Sequence, residues 1–160
     1  YESSGNQYPS EALGKGGAPT LRDFCQMYYE EAVAEGVKAE VAFAQAMKES
    51  AWLKFGGIVK IEQFNFAGLG ALDGNAQGQA ASFSDVRTGI RAQIQHLKAY
   101  GSAEDLKSAC VDPRFKYVTR NSAKYVEWLG IKENPAGVGW ASDKNYGYAI
   151  VDMVKVLTSK

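Results

Sequence analysis

Glu49 is the residue whose neighbours most invite chemistry. It closes an Ala-rich run in which Ala42, Gln45, Ala46 and Glu49 recur at helical spacing and therefore share one face. Trp52 and Phe55 follow closely. A carboxyl packed against apolar groups resists ionisation, and the negative end of a helix dipole acts the same way. A Glu that keeps its proton near neutral pH can hand it to a departing glycosidic oxygen. Spacing alone nevertheless favours a plainer reading, a helix-surface Glu paired with Lys48, Lys54 or Lys60.

Other chemistries find little material. The chain of 160 residues carries one His, His96, and two Cys, Cys25 and Cys110, without a CxxC spacing. That set cannot build a zinc site from His and Cys alone, and a nucleophilic triad would have to recruit His96. His96 reads as a packing or surface residue. The two Cys are equally readable as a disulfide or as two buried thiols. No cofactor and no metal are expected. Net charge is zero, from 18 basic and 18 acidic residues that are scattered, which argues against nucleic acid as a partner. No apolar run approaches the roughly 20 residues that cross a bilayer, so no membrane insertion is expected. The chain opens Tyr1-Glu2-Ser3-Ser4 without a basic and apolar leader, and reads as a mature or excised piece that leaves export open.

The elements that would position Glu49 are mainly helical. Residues 1–19, rich in Gly, Ser, Pro and Asn, read as an N-terminal arm or loop, and residues 20–160 as one domain. Thr20 and Asp23 form a capping pattern for a helix over 21–34 that Gly36 ends. The Ala-rich helix over 38–50 follows and is expected at the centre, because small side chains let neighbours approach closely. From Gly56 to Gln79 the glycines break helix. Val59-Lys60-Ile61 and Phe64-Asn65-Phe66 fit a small antiparallel or irregular lobe. Helix returns at Ser84 or Asp85 and stops at Gly101. Shorter helices are expected near 103–109 and 122–129, and a last one from Ser142 or Asp143 to the C-terminus. A helical body with one inserted lobe leaves a cleft between them, where ligands bind.

The stretch VAFAQAMKESAWLKFGG resembles the helix that carries the general acid in family 73 of the glycoside hydrolases, the cell-wall endo-β-N-acetylglucosaminidases. Asn65-Phe66-Ala67-Gly68-Leu69-Gly70-Ala71 is similar to that family's Asn-Phe-Phe-Gly-Ile segment. Phe83-Ser84-Asp85-Val86 with Gly89-Ile90 looks like its next helix start. Trp140-Ala141-Ser142-Asp143-Lys144-Asn145-Tyr146-Gly147 looks like its Tyr-Ala-Ser/Thr-Asp-Pro-x-Tyr segment. The matches run in order over about residues 38–158. The resemblance implies a lysozyme-like helical fold, mainly α with a small irregular or β lobe after the catalytic helix. It implies cleavage of the β-1,4 bond joining N-acetylglucosamine to N-acetylmuramic acid in peptidoglycan. It also implies a bacterial, extracellular or wall-associated autolysin, acting as a monomer on glycan strands. Glu49 takes the acid's place. Tyr146 lines the site, or anchors the last helix. Asn65 bonds the substrate's acetamido group, or caps the Gly-rich turn.

The second carboxylate departs from the pattern. Some family members place a Glu just before the Phe matching Phe83, where this chain has Ala81 and Ser82. Glu62, Asp73 and Asp85 remain. Asp85 is accounted for as a helix cap and Asp73 as a turn residue beside Gly74, so Glu62 is the preferred partner. A base on the far face would invert the anomer and a close nucleophile would retain it. Attack by the substrate's own acetamido oxygen would also retain it and needs no second carboxylate; the missing Glu favours this route. Candidate substrate contacts are Gln45, Asn65, Phe66, Asp73, Trp52 and Trp140. Of the aromatics Trp52, Phe64, Phe66, Tyr117, Trp128 and Trp140, one or two are expected to line a sugar groove. A lytic transglycosylase is the nearest rival, but the Gly-Leu-Met-Gln segment usual there is replaced by Phe66-Ala67-Gly68-Leu69-Gly70. A non-catalytic wall-binding module, with Glu49 structural, is the alternative from another class.

Overall fold

The computed structural model describes residues 1–71 and 80–159. Among these residues five α-helices carry the fold: α1 (Ser10–Gly14), α2 (Leu21–Glu35), α3 (Ala39–Glu49), α4 (Val86–Gly101) and α5 (Tyr146–Thr158). Single 3-10 turns lie at Glu2–Ser4, Ile61–Gln63, Phe115–Tyr117 and Val126–Leu129. Helix α3 is the hub and packs against α2, α4 and α5. Its buried face is Val41, Ala42, Ala44, Gln45, Ala46 and Met47, small enough to admit three neighbours. This is the mainly helical, lysozyme-like arrangement the sequence implies.

Local chemistry explains the helix ends. Thr20 Oγ1 accepts from the Asp23 N–H at 3.1 Å, the Asp23 carboxylate returns the bond to the Thr20 N–H, and Gly36 closes α2 in a left-handed conformation. Asp85 caps α4 by accepting from the Thr88 N–H at 2.7 Å. Gly89 lets α4 touch the lobe, since a Cβ there would lie 1.8 Å from the Phe64 carbonyl oxygen. Among the described residues no helix is long and apolar enough to cross a membrane.

Several expectations are corrected. The N-terminal arm is not simply extended: α1 forms within it, and Leu13 and Ala18 are fully buried in the core. Their apolar surface outweighs the local glycine content. Of the two forms expected for the lobe the irregular one is found: no β-strand forms at 59–61 or 64–66 among the described residues, and Phe64 and Phe66 turn into the helical core. Residues 103–109 are irregular, because their backbone is spent on Glu35, which accepts from the Lys107 and Ser108 N–H groups. The segment 122–129 yields only a 3-10 turn at its end. Helix α5 begins at Tyr146, behind Asn145 with φ of 62°, so Ser142 and Asp143 remain outside it. Cys25 and Cys110 are free thiols on exposed residues, neither bridged nor buried.

Candidate functional site

Glu49 is the last residue of α3, and the chain leaves that helix abruptly. Ala51, Trp52 and Leu53 have φ of 49°, 58° and 65°, three consecutive non-Gly residues in left-handed conformation. Such positions are strained, at about 1–2 kcal/mol per residue. The turn is held by Ser50, whose hydroxyl donates to the Ala46 carbonyl at 2.6 Å and accepts from the Leu53 N–H at 3.0 Å. Leu53 is buried beneath it. The strained turn stops α3 at Glu49, so that the carboxyl stands at the rim of the helical body.

A cleft of about 400 Å³ opens there, lined by Glu49, Ala67, Gly68, Ala71, Ile131, Trp140, Ala141, Ser142 and Asp143. One wall is the Gly-rich lobe and the other is the segment leading into α5. Gly68 faces the carboxyl closely: a Cβ on it would lie 3.7 Å from Glu49 Oε2. The opposite wall is fixed by a parallel bridge between Gly130 and Ala141, with the Trp140 N–H donating to the Leu129 carbonyl at 2.7 Å. A larger groove of about 590 Å³ lies elsewhere, bounded by Tyr1, Leu21, Tyr28, Phe43 and Leu157. Its lining is mainly apolar and brings no carboxyl together with a hydrogen-bonded partner.

The two oxygens of Glu49 have different surroundings. Tyr146, buried as the first residue of α5, donates its hydroxyl proton to Oε1. Among the described residues Oε2 accepts no hydrogen bond, and it faces the cleft. Glu49 therefore exposes area to solvent while protein crowds the carboxyl from behind. This crowding pushes it above the usual carboxylate range. The Tyr146 hydrogen bond and the Lys48 charge pull the other way, and the Asp143 charge adds to the rise. Tyr146 itself is held far above the ordinary phenol range, by burial first and then by the Glu49 charge, so it stays a donor. A buried chain stands behind it. Gln45 Nε2 donates to the Tyr146 hydroxyl at 3.0 Å, and Gln93 Nε2 donates to Gln45 Oε1 at 3.0 Å. Tyr28 in turn donates to Gln93 Oε1 at 2.6 Å. The chain of donors from Tyr28 through Gln93 and Gln45 to Tyr146 runs toward Glu49, which orients the Tyr146 proton onto Oε1, while Gln93 Nε2 also donates to the Ala42 carbonyl at 2.9 Å. Lys48 Nζ lies 5.4 Å above the Tyr146 ring.

The structure sorts the residues singled out from sequence. Glu49 and Trp140 line the cleft, whereas Tyr146 is buried and reaches it only through its hydrogen bond to Glu49. Gln45 does not reach it: it is fully buried, and its amide is bonded to Tyr146 and Gln93. Asn65 is also buried, donating to the Leu69 and Ala81 carbonyls at 2.9 and 3.0 Å and accepting from the Leu69 N–H at 2.9 Å. It braces the Gly-rich turn, leaving no free amide for a ligand. Phe66 is core, with its ring 5.1 Å from that of Phe24. Trp52 packs against Tyr1 at 6.1 Å and does not line the cleft. Glu62 is exposed on the 3-10 turn Ile61–Gln63 and also lies outside the lining. Asp85 is spent as the α4 cap. Asp73 lies outside the described residues. Asp143, expected only at the start of the last helix, is the other carboxylate of the cleft wall among the described residues. The available signal was its place three residues before Tyr146 in the segment carrying the resemblance.

A carboxyl with a raised pKa, one oxygen fixed and the other open to a cleft, can give a proton to a bound oxygen. A protein of Borreliella burgdorferi, named only as uncharacterized, is 45% identical over 119 residues, covering 74% of this chain and 54% of that protein. The chain thus spans about half the length of this relative. No solved structure matches. The model of the glucosaminidase family, described as mannosyl-glycoprotein endo-beta-N-acetylglucosaminidase, matches residues 25–159, and the chain belongs to that family.

Proposed function

We propose that the protein is a peptidoglycan hydrolase that cleaves the β-1,4 bond between N-acetylglucosamine and N-acetylmuramic acid, with Glu49 as general acid. The observation that carries this reading is the asymmetry of Glu49: Oε1 is held by Tyr146 while Oε2 faces the cleft. Membership of the glucosaminidase family supports a glycosidase acting on wall glycan. The substrate places its work outside the cytoplasmic membrane, at a bacterial wall, as a monomer on glycan strands.

Chemically, Glu49 protonates the glycosidic oxygen as the C1–O bond breaks. The acetamido oxygen of the N-acetylglucosamine unit closes onto C1, giving a cyclic oxazolinium ion. The Glu49 carboxylate then takes a proton from the water that opens this ion at C1. Asp143, as an exposed carboxylate of the cleft wall, steadies the positive charge, and no carboxylate nucleophile is required. Tyr146 holds Glu49 in place and limits how far its pKa rises.

Glu49→Gln is the direct test. A neutral amide cannot supply the proton, so clearing of purified walls should fall by about 10²–10⁴-fold with the fold retained. A fully active variant would overturn the assignment. Products lighter by one water would replace hydrolysis with transglycosylation. The initial product anomer, read by NMR, should be β; an initial α-anomer would exclude the acetamido route.

A further inference from the structure

A second pocket, of about 170 Å³, adjoins the cleft and shares Gly68, Ala71 and Trp140 with it. Its polar groups are His96 and Arg114, with Tyr117 beside them. His96 is only 8% exposed. Its Nδ1 is 2.7 Å from Oδ2 of buried Asp112, which leaves Nε2 as the ring's free nitrogen among the described residues. The Trp140 ring meets the imidazole edge-on at 4.5 Å.

The frame around this histidine is rigid. Asp112 Oδ1 accepts from the Arg114 N–H at 2.8 Å, and Gln95 on α4 accepts from the Val111 and Asp112 N–H groups at 2.8 and 3.2 Å. The Arg114 guanidinium stacks over Tyr117 at 4.4 Å and, among the described residues, makes no ion pair. Residues 113–120 read PRFKYVTR, with Arg114, Lys116 and Arg120 and no acidic residue. The Asp112 charge is turned inward onto His96 and the loop backbone. Among the described residues the pocket thus offers an unpaired cation and a buried ring nitrogen, beside a cleft whose exposed carboxylate, Asp143, repels anions.

We propose that this pocket is a subsite for a carboxylate-bearing branch of the glycan, with Arg114 pairing the carboxylate and His96 Nε2 accepting a neighbouring N–H or O–H. The inference rests on the reading of the protein as a wall-glycan hydrolase and names the part of that polymer the cleft distinguishes. The carboxylate belongs either to the lactyl group of N-acetylmuramic acid or to the attached peptide. A mere loop tie between α4 and residues 109–114 would require neither a free guanidinium nor a ring edge open to a pocket.

His96 is the only histidine, so its ring protons give a single set of NMR signals. At fixed pH, the protein is titrated with N-acetylmuramic acid, with N-acetylmuramyl-L-alanyl-D-glutamate and with neutral N-acetylglucosamine. Saturable movement of the His96 signals with either acidic probe, and none with the neutral sugar, is expected. The probe that binds identifies the lactyl or the peptide carboxylate. Arg114→Gln should weaken that binding at least 10-fold. Equal response to the neutral sugar, no response to any probe, or unchanged binding by Arg114→Gln would overturn the subsite. Glu49→Gln should bind the acidic probe normally, so loss of wall cleavage and loss of this subsite are read separately.

Discussion

Three glutamates on the α2–α3 hairpin are handled in opposite ways. Glu31 and Glu35 are almost wholly buried at the α2–α4 face, whereas Glu49 opens to a cleft. Depth alone would raise the first two more than the third. The shifts run the other way: Glu31 and Glu35 are held below the ordinary carboxylate range and Glu49 above it. Burial is the largest influence on Glu35 and pushes it up, but the N–H groups of Lys107 and Ser108 and the Lys98 ammonium at 3.0 Å together outweigh it, and it titrates below the ordinary range. Glu31 follows the same rule through Arg91 and Arg87, at 2.8 and 3.2 Å. Glu49 has one neutral donor, one cation stacked over a tyrosine ring rather than on the carboxyl, and a neighbouring carboxylate, so burial prevails. Partners, not depth, separate a structural carboxylate from one that can carry a proton.

That contrast can be broken from either side. Glu49→Gln has the largest expected effect on activity and the most favourable on stability. A raised native pKa means the charged form is disfavoured in the fold, so stability is lost as pH rises through it, and an amide removes that loss. Thermal unfolding at neutral pH should leave this variant as stable as the parent or more so. Lys98→Met should act oppositely, lowering stability by about 3 kcal/mol in urea titrations by leaving a buried carboxylate short of its cation. For Glu31 and Glu35 the sign is also opposite: their stabilisation is present above the ordinary Glu pKa of about 4.3 and is lost as pH falls through their depressed native values. The Lys98→Met deficit should therefore shrink on acidification.

Smaller effects sharpen the picture at the cleft. If Glu49 is the general acid proposed above, kcat/KM should fall as pH rises through its raised pKa. Tyr146→Phe removes a hydrogen bond that favours the charged form, and should move this alkaline limb upward while reducing kcat. Asp143→Asn removes a repelling charge and should move the limb down, by less because Asp143 acts only through its charge on an exposed residue. A limb that Tyr146→Phe leaves in place would mean that Glu49 does not set it.

The sequence was most legible where local rules act without competition. The capping pattern at Thr20 and Asp23, the Ala-rich α3 and the Asp85 cap place α2, α3 and α4 within a residue or so of expectation. It was least legible where a remote partner claims the backbone. Residues 103–109 carry helix-forming residues, but Glu35 from α2 captures the Lys107 and Ser108 N–H groups. The same applies to side chains. Gln45 shares a helix face with Glu49 as its spacing implies, yet that face is shared with α5 rather than with solvent. Asn65 could bond a ligand or brace a turn, and the carbonyls of Leu69 and Ala81 decide the matter.

By itself, the order of residues determined that helix dominates, that Glu49 ends an Ala-rich helix, and that Tyr146 belongs to the same family pattern. Helical periodicity and propensity are properties of a few consecutive residues. Only the tertiary structure decided which face of α3 is buried, which oxygen of Glu49 is held, and that Asp143 rather than Glu62 lines the cleft. Those outcomes depend on residues some 97 positions apart in the chain, as Glu49 and Tyr146 are. No local rule measures such a distance, and it is what gives an unremarkable glutamate one held oxygen and one open to the cleft.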